Sequence, residues 1–423
     1  MIKPNYIRIM VLALVGLSTS ATLYAQEQVL HAPGGPIPHS YFGLHIHRAA
    51  SGTVWPETDF GSWRLWDTRT QWSALEPQKG KWDFTLLDNL VALGEQHHKE
   101  ITLTLGQSPA WASSRPTEKS PYGLGASAPP AKIDDWREYV RTVGTRYKGR
   151  IRAYEIWNEP NLPDFYDGSV EQMVQLTDIA AAELKKIDPG ILVVTPSCTG
   201  GSGVGWLAKF LQAGGGRNSD VVGFHFYVSP ADPEASLNVI ARVQETMRAN
   251  GAGSKPLWNT EFGYSVANKT PQERPDWAKQ GMYARILSED EASAIIARTF
   301  ILNWAAGVQR VFWYAFDNGY MGMTEPDGKA VKKNAHAYVV VQGWLEGAHM
   351  GACVDHGGAL WGCNITLKSG KYAVITWSPR GSTQWQIPPG FHPHSVVDVQ
   401  GVRRPFHAKA IEVGASPILL EEN

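Results

Sequence analysis

From residue 41 to about residue 317 the chain alternates short, continuous apolar runs with longer stretches in which apolar residues recur every three or four positions. The runs fall at 42–47, 62–67, 101–106, 151–158, 191–196, 221–227, 256–261 and 308–315. They lack the strict alternation of a half-exposed strand, so they read as parallel strands buried on both faces. The longer stretches at 84–98, 133–147, 170–187, 237–249 and 289–306 have the spacing of helices with one apolar side. Eight strands interleaved with helices predict an α/β fold, a (β/α)8 TIM barrel. After Lys332 the texture changes to short alternating segments at 359–366, 372–378, 394–399 and 416–420, broken by Gly and Pro. This predicts a small C-terminal antiparallel β-sandwich domain over 336–423, behind a barrel over 26–335. Segments 113–130 and 200–216 are rich in Gly, Ser and Pro and read as loops that wall or cover a cleft.

Residues 1–25 carry Lys3 and Arg8, then an apolar stretch at 9–17, then small residues up to Ala25. This is the pattern of a cleaved secretory signal, too short to span a bilayer. Cleavage after Ala25 would place Leu23 at the position usually held by a small residue, so cleavage after Ala21 is the alternative. The expected location is secreted or periplasmic, with no stable membrane span in the mature chain. Export permits a disulfide, and Cys353 and Cys363 flank the turn-forming Asp355-His356-Gly357-Gly358 as a bridged hairpin would. Cys198 is then left over as a buried small hydrophobe. A net charge of −1 with no basic cluster gives no field to attract a phosphate backbone, which excludes nucleic acid as the expected partner.

Two apolar runs end in an amide or hydroxyl followed by a glutamate: Trp157-Asn158-Glu159-Pro160-Asn161 and Trp258-Asn259-Thr260-Glu261-Phe262-Gly263. In a barrel, residues at the C-terminal ends of strands share one mouth. Two carboxyl groups there have the composition that glycosidic bond cleavage needs, one to protonate the leaving oxygen and one to attack or stabilise the anomeric carbon. Glu159 and Glu261 are the candidate catalytic pair. The alternative is ordinary strand-end salt bridging. Seventeen Trp and fifteen Tyr supply ring faces that stack on sugar C–H faces, although most such rings serve as core side chains.

These motifs resemble those of the clan A retaining glycoside hydrolases. Asn158-Glu159-Pro160 is similar to the acid/base signature after strand four, and Thr260-Glu261-Phe262-Gly263 to the nucleophile strand. The segment 72–84, with Glu76-Pro77, Gly80 and Trp82-Asp83, resembles the connection after strand two. The Trp-Asn-Glu-Pro-Asn string, the His225-Phe226-Tyr227 strand end and the appended β domain look most like glycoside hydrolase family 39. The run Phe42-Gly43-Leu44-His45-Ile46-His47-Arg48 resembles the exopolysaccharide-cluster endoglycosidases of that family more than its β-xylosidases.

The resemblance implies Glu159 as general acid then base and Glu261 as nucleophile. It implies Asn158 on the substrate 2-hydroxyl, Tyr227 donating to Glu261, Arg64 beneath that carboxylate, and Trp313 as the sugar platform. His225, His45 and His47 complete the expected substrate-binding set. The expected partner is a polysaccharide or oligosaccharide, cleaved internally, with no cofactor. The rival readings are an exo-acting β-xylosidase-like enzyme and a polysaccharide-binding protein that has lost the chemistry. A metal reading would rest on His45-x-His47, His97-His98 and His392-x-His394, none of which has a ligand set at an interpretable spacing.

Overall fold

The computed structural model describes residues 27–270 and 273–423, so the segment read as a secretory signal lies outside the described residues. The eight predicted strands form β1 (Phe42–Leu44), β2 (Ser62–Leu65), β3 (Glu100–Leu105), β4 (Ala153–Ile156), β5 (Leu192–Val194), β6 (Val222–His225), β7 (Leu257–Phe262) and β8 (Val308–Trp313). Each pairs in parallel with its sequence neighbours, and β8 pairs β1. The fifth strand is bent. Leu192–Val194 pairs β4, while Cys198–Thr199 just beyond it pairs β6, and a Val194↔Val221 bridge completes the ring. The molecule is therefore the expected TIM-like barrel.

Helices α1 (Thr85–Gln96), α2 (Ile133–Arg146), α3 (Val170–Ile187), α4 (Gly200–Gln212), α5 (Ser236–Ala249), α6 (Glu289–Ala305) and α7 (Lys333–Leu345) surround the ring. Among the described residues no helix joins β1 to β2. Helices α3 and α6 start at Ser169 and Ser288, each in a reciprocal capping box with Gln172 and Glu291. Helix α4 corrects the loop expected at 200–216. Its buried Val204, Leu207, Phe210 and Leu211 fall on one face, and this outweighs the low helix propensity of four glycines. A Cβ on Gly203 would sit 3.0 Å from Cys198 and 3.2 Å from Phe224, so glycine lets the helix lie close on the sheet. The other glycine-rich segment is mostly irregular, with a small hairpin pairing Lys119–Ser120 with Gly123–Leu124.

Strand alternation sorts the ring interior into layers. At the N-terminal end Arg310 pairs with Glu100 at 2.6 Å and lies 4.2 Å from the Trp258 ring. Above it Ala153, Val194, Val221, Trp258 and Phe312 fill the middle. Above these the interior turns polar, because Arg64, Thr104, Glu155 and His225 all point inward.

The tail adds strands β9 (His349–Asp355), β10 (Trp361–Thr366), β11 (Tyr372–Trp377), β12 (Thr383–Gln386), β13 (Ser395–Asp398), β14 (Arg403–Pro405), β15 (Ala410–Val413) and β16 (Ile418–Glu421). Six of them form an antiparallel sheet in the order β9, β10, β11, β16, β13, β14, and β12 with β15 makes a small second layer. Cys353 and Cys363 face each other across β9 and β10 and are disulfide-bonded, while Cys198 is free and buried. Two features differ from the division at 335/336. That position falls inside α7, the last barrel helix, and the N-terminal strand Gln28–His31 pairs β9 rather than joining the barrel. The inner face of this sheet shares one apolar core with the barrel helices. Stacked Trp361 and Trp377 lie on it, 5.6 Å apart, and Trp377 Nε1 donates to Glu234 Oε1 at 2.8 Å.

Candidate active site

The chain leaves β4 through two non-glycine residues in the left-handed region, Trp157 at φ +70° and Glu159 at φ +44°. Such conformations are costly for residues with a Cβ and persist only where the surroundings hold them. Here Trp157 N–H donates to Leu105 O at 2.9 Å, its indole N–H to Phe165 O at 2.7 Å, and Glu159 N–H to Ser197 O at 2.9 Å. Gly106 makes room, since a Cβ there would lie 2.8 Å from the Trp157 ring. The result turns the Glu159 carboxyl over the mouth of the ring.

Glu261 reaches the same mouth from β7, where a register shift between Asn259 and Phe262 brings it inward. An oxygen of Glu159, an oxygen of Glu261 and a ring nitrogen of His225 all lie within 4.8 Å of one another. Beneath them Arg64 is fully buried. Its Nε and Nη2 donate to Glu155 at 2.5 and 3.0 Å, Nη2 also to Asn158 Oδ1 at 2.7 Å, and Nη1 to Glu261 Oε2 at 2.9 Å. Tyr227 donates its hydroxyl to Glu261 Oε1 at 2.9 Å, with its ring parallel to Phe262. His225 Nδ1 is 2.9 Å from Glu159 Oε1 and 4.0 Å from Glu261 Oε1.

Burial pushes both glutamates up to about 7, against the pull of Arg64 on each. Their partners distinguish them. Glu261 accepts charge-assisted and neutral hydrogen bonds from Arg64 and Tyr227, both of which favour its ionised form. Glu159 has no arginine bonded to it, so of the two it is the better holder of a proton. Burial also drives His225 down to about 4, which keeps its imidazole neutral, and holds the Tyr227 phenol well above its usual value, so it stays a donor. The guanidinium of Arg64 is held still more firmly protonated: burial opposes its charge, but Glu155 and Glu261 outweigh that.

The structure thus brings together Glu159, Glu261, Asn158, Arg64, His225 and Tyr227. Trp313 does not join them. Inward positions on β8 are Arg310 and Phe312, a side that Tyr314 continues just beyond the strand, so Trp313 points outward, is fully enclosed, and packs 6.0 Å from Phe262. A ring with no exposed face cannot serve as a sugar platform. Tyr314, half-buried one residue later, presents the ring at the mouth. His45 lies one layer down, with Nε2 3.1 Å from Thr260 O and its ring edge on Tyr314 at 5.1 Å. Burial, then Arg64, lowers its affinity for a proton. His47 is half-buried and packs 4.9 Å from the Tyr314 ring. Both histidines support Tyr314, and neither touches the glutamates.

Sequence reasoning missed Glu155, Asp67, Tyr314 and Tyr122. Glu155 was visible as a carboxylate in the middle of an apolar strand, and Tyr314 by its parity with Phe312. Nothing local marked Tyr122, which sits on the small hairpin at 119–124. Among the described residues the one cluster of potential metal ligands is Glu159, His225 and Glu261. The histidine pairs 45/47, 97/98 and 392/394 assemble none. At the cluster the positive charge is already supplied by Arg64.

A parallel eight-stranded barrel with facing glutamates on β4 and β7 is the architecture of the clan A glycoside hydrolases. Sequence comparison agrees with it: a family profile described as "Glycosyl hydrolase catalytic core" matches residues 131–338, and one described as "Glycosyl hydrolase family 10" matches residues 53–175. The chain is similar to a "Beta-xylosidase" from Geobacillus stearothermophilus, 29% identical over 195 residues, or 40% of this chain and 38% of that one. A second "Beta-xylosidase", from Caldicellulosiruptor saccharolyticus, is 32% identical over 35% of this chain and 34% of its own. The matched region therefore spans little more than a third of either curated relative. Among solved structures, a family 39 glycoside hydrolase from Bacteroides cellulosilyticus WH2 superposes with TM-score 0.72 at 19% identity, covering 91% of this chain and 81% of that one. These likenesses place the fold, including the appended sheet, beside family 39.

Proposed function

We propose that the chain is a retaining glycoside hydrolase of the family 39 type, acting within a polysaccharide chain outside the cytoplasm. The observation that carries the reading is the close approach of the Glu159 and Glu261 oxygens, within 4.8 Å. Double displacement uses carboxyl groups about 5–5.5 Å apart, whereas inversion needs roughly 6.5–9.5 Å to admit a water. In the first step Glu261, ionised by Arg64 and Tyr227, attacks the anomeric carbon. The glycosidic C–O bond breaks as Glu159 gives its proton to the departing oxygen. In the second step Glu159, now a carboxylate, takes a proton from water, which attacks the glycosyl carbon and releases Glu261. Asn158, its oxygen fixed by Arg64, presents its amide nitrogen to the sugar 2-hydroxyl.

Internal cleavage of an exopolysaccharide is supported by the resemblance at residues 42–48 and by a wall of rings, Trp66, Tyr122 and Phe165, 5.2 to 6.2 Å apart, beside the carboxylates. An export address is supported by the pattern of residues 1–25. The second reading, release of single xylose units, is favoured by the names of the two curated relatives. Reducing ends and product sizes over time, from neutral exopolysaccharides and xylan, test both. Internal cleavage yields a broad ladder from the first minutes, the second reading yields monomer alone, and no new reducing ends would refute hydrolysis.

A further inference from the structure

The loop after β2 carries Asp67 at φ +57°, a left-handed conformation that aspartate tolerates better than most residues with a Cβ. Both of its oxygens are occupied from opposite sides. Tyr122 of the 119–124 hairpin donates to Oδ1 at 3.0 Å, and Tyr314 after β8 donates to Oδ2 at 2.7 Å. Each tyrosine is itself fixed. The Tyr122 ring lies 5.2 Å from Trp66 and 5.5 Å from Phe165, and Tyr314 lies on His45 and His47. Asp67 is half-buried, so ligand can reach it. Each carboxylate oxygen has a lone pair left after its tyrosine.

The charge nearest Asp67 is mostly negative. Glu155 and Glu261 flank the fully buried Arg64, and a second cation, the half-buried Arg274, stands at the rim with its Nη2 on Ser265 Oγ and Tyr283 O. Four of Arg64's five N–H groups are committed to Glu155, Glu261 and Asn158. Arg69, two residues beyond Asp67, is exposed to solvent, where salt screens it. A uronic carboxylate placed against Asp67 would meet its charge directly, with Arg64 already committed to Glu155, Glu261 and Asn158. Neutral hydroxyls would meet two acceptor oxygens already aligned.

We propose that Asp67, held by Tyr122 and Tyr314, is a specificity-determining residue that accepts hydroxyl hydrogens from the sugar at the catalytic carboxylates and excludes uronic acids there. The proposal rests on the hydrolase reading above and narrows its substrate to uncharged sugars. Its test compares the full-length chain with the variants Asp67→Asn, Tyr122→Phe and Glu261→Gln. Substrates are the 4-nitrophenyl β-glycosides of xylose, glucose and glucuronic acid, with xylan and polyglucuronate as polymers. In the unaltered chain the best neutral substrate should exceed its uronic counterpart in kcat/KM by on the order of 100-fold. Asp67→Asn keeps the shape and one acceptor but removes the charge, so that ratio should fall at least about tenfold while neutral substrates show a raised KM. Tyr122→Phe, which leaves the carboxylate in place, should keep the discrimination. Uronides cleaved as fast as neutral glycosides, or Asp67→Asn slowing both classes by one factor, would overturn the proposal and leave the hydrolase reading intact. Activity that survives Glu261→Gln would instead overturn the hydrolase reading.

Discussion

Replacing Arg64 by Met should move the pH dependence of the reaction upward. In the folded chain the guanidinium touches Glu261 at 2.9 Å with no solvent between them. A unit pair near 4 Å at an effective dielectric of about 20 is worth about 4 kcal/mol. Loss of that attraction raises the Glu261 pKa further above its ordinary value, by up to about 3 pH units at 1.36 kcal/mol each. Nucleophilic attack requires the ionised form, so the acidic limb of kcat/KM against pH should move upward by at least about 2 units. The same change strands Glu155 without its cation, and breaking a buried pair costs about 3–5 kcal/mol of stability. Arg64→Lys separates the two effects: it keeps the charge but not the fork, so the limb should move less. The assay is a pH series of kcat/KM on a nitrophenyl glycoside, with thermal unfolding recorded in parallel. An unmoved acidic limb in a folded Arg64→Met chain would refute the assignment of Arg64 as the group that ionises Glu261.

Glu159→Gln should slow substrates with poor leaving groups by about 10²–10⁴-fold and spare glycosylation from an activated aryl glycoside, with azide restoring turnover by replacing the base-activated water; equal loss on both leaving groups would exclude Glu159 as the acid. The folded-state pKa of Glu159 is raised to about 7, so its contribution to stability is present below the ordinary carboxyl range and lost as pH rises through about 7. Glu159→Gln should therefore leave unfolding free energy unchanged near pH 4 and raise it by about 1–3 kcal/mol near pH 8, measured by denaturant titration. Trp313→Ala should cost about 3–5 kcal/mol through the cavity it opens, whereas Tyr314→Ala should raise KM more than it lowers stability; the reverse pattern would return the platform role to Trp313.

The ring of strands was legible because each strand is buried on both faces and announces itself as a continuous apolar run. Glu159 and Glu261 were legible because each follows such a run at the end where barrel sites assemble. The misreadings had physical sources. Helix α4 hid behind glycines that exist to let it approach the sheet, so low propensity marked close packing and not a loop. Trp313 was carried over from the family resemblance, whereas the two-residue period of β8 pointed to Tyr314. Asp67 and Tyr122 were invisible because their relation is a contact across two loops, and no periodicity along the chain records it.

The strand Gln28–His31 has a consequence for how the molecule can be divided. It forms the outer edge of a sheet whose other six strands all follow residue 348, and it is registered residue for residue against Ala352–Asp355. Removing the tail would leave this segment without a ladder and strip the apolar cover from the helices beneath. The accessory layer is consequently not a detachable module. A chain cut at 335/336 would bisect a helix, orphan the opening strand, and expose a greasy flank, so both halves should aggregate more readily than the intact chain.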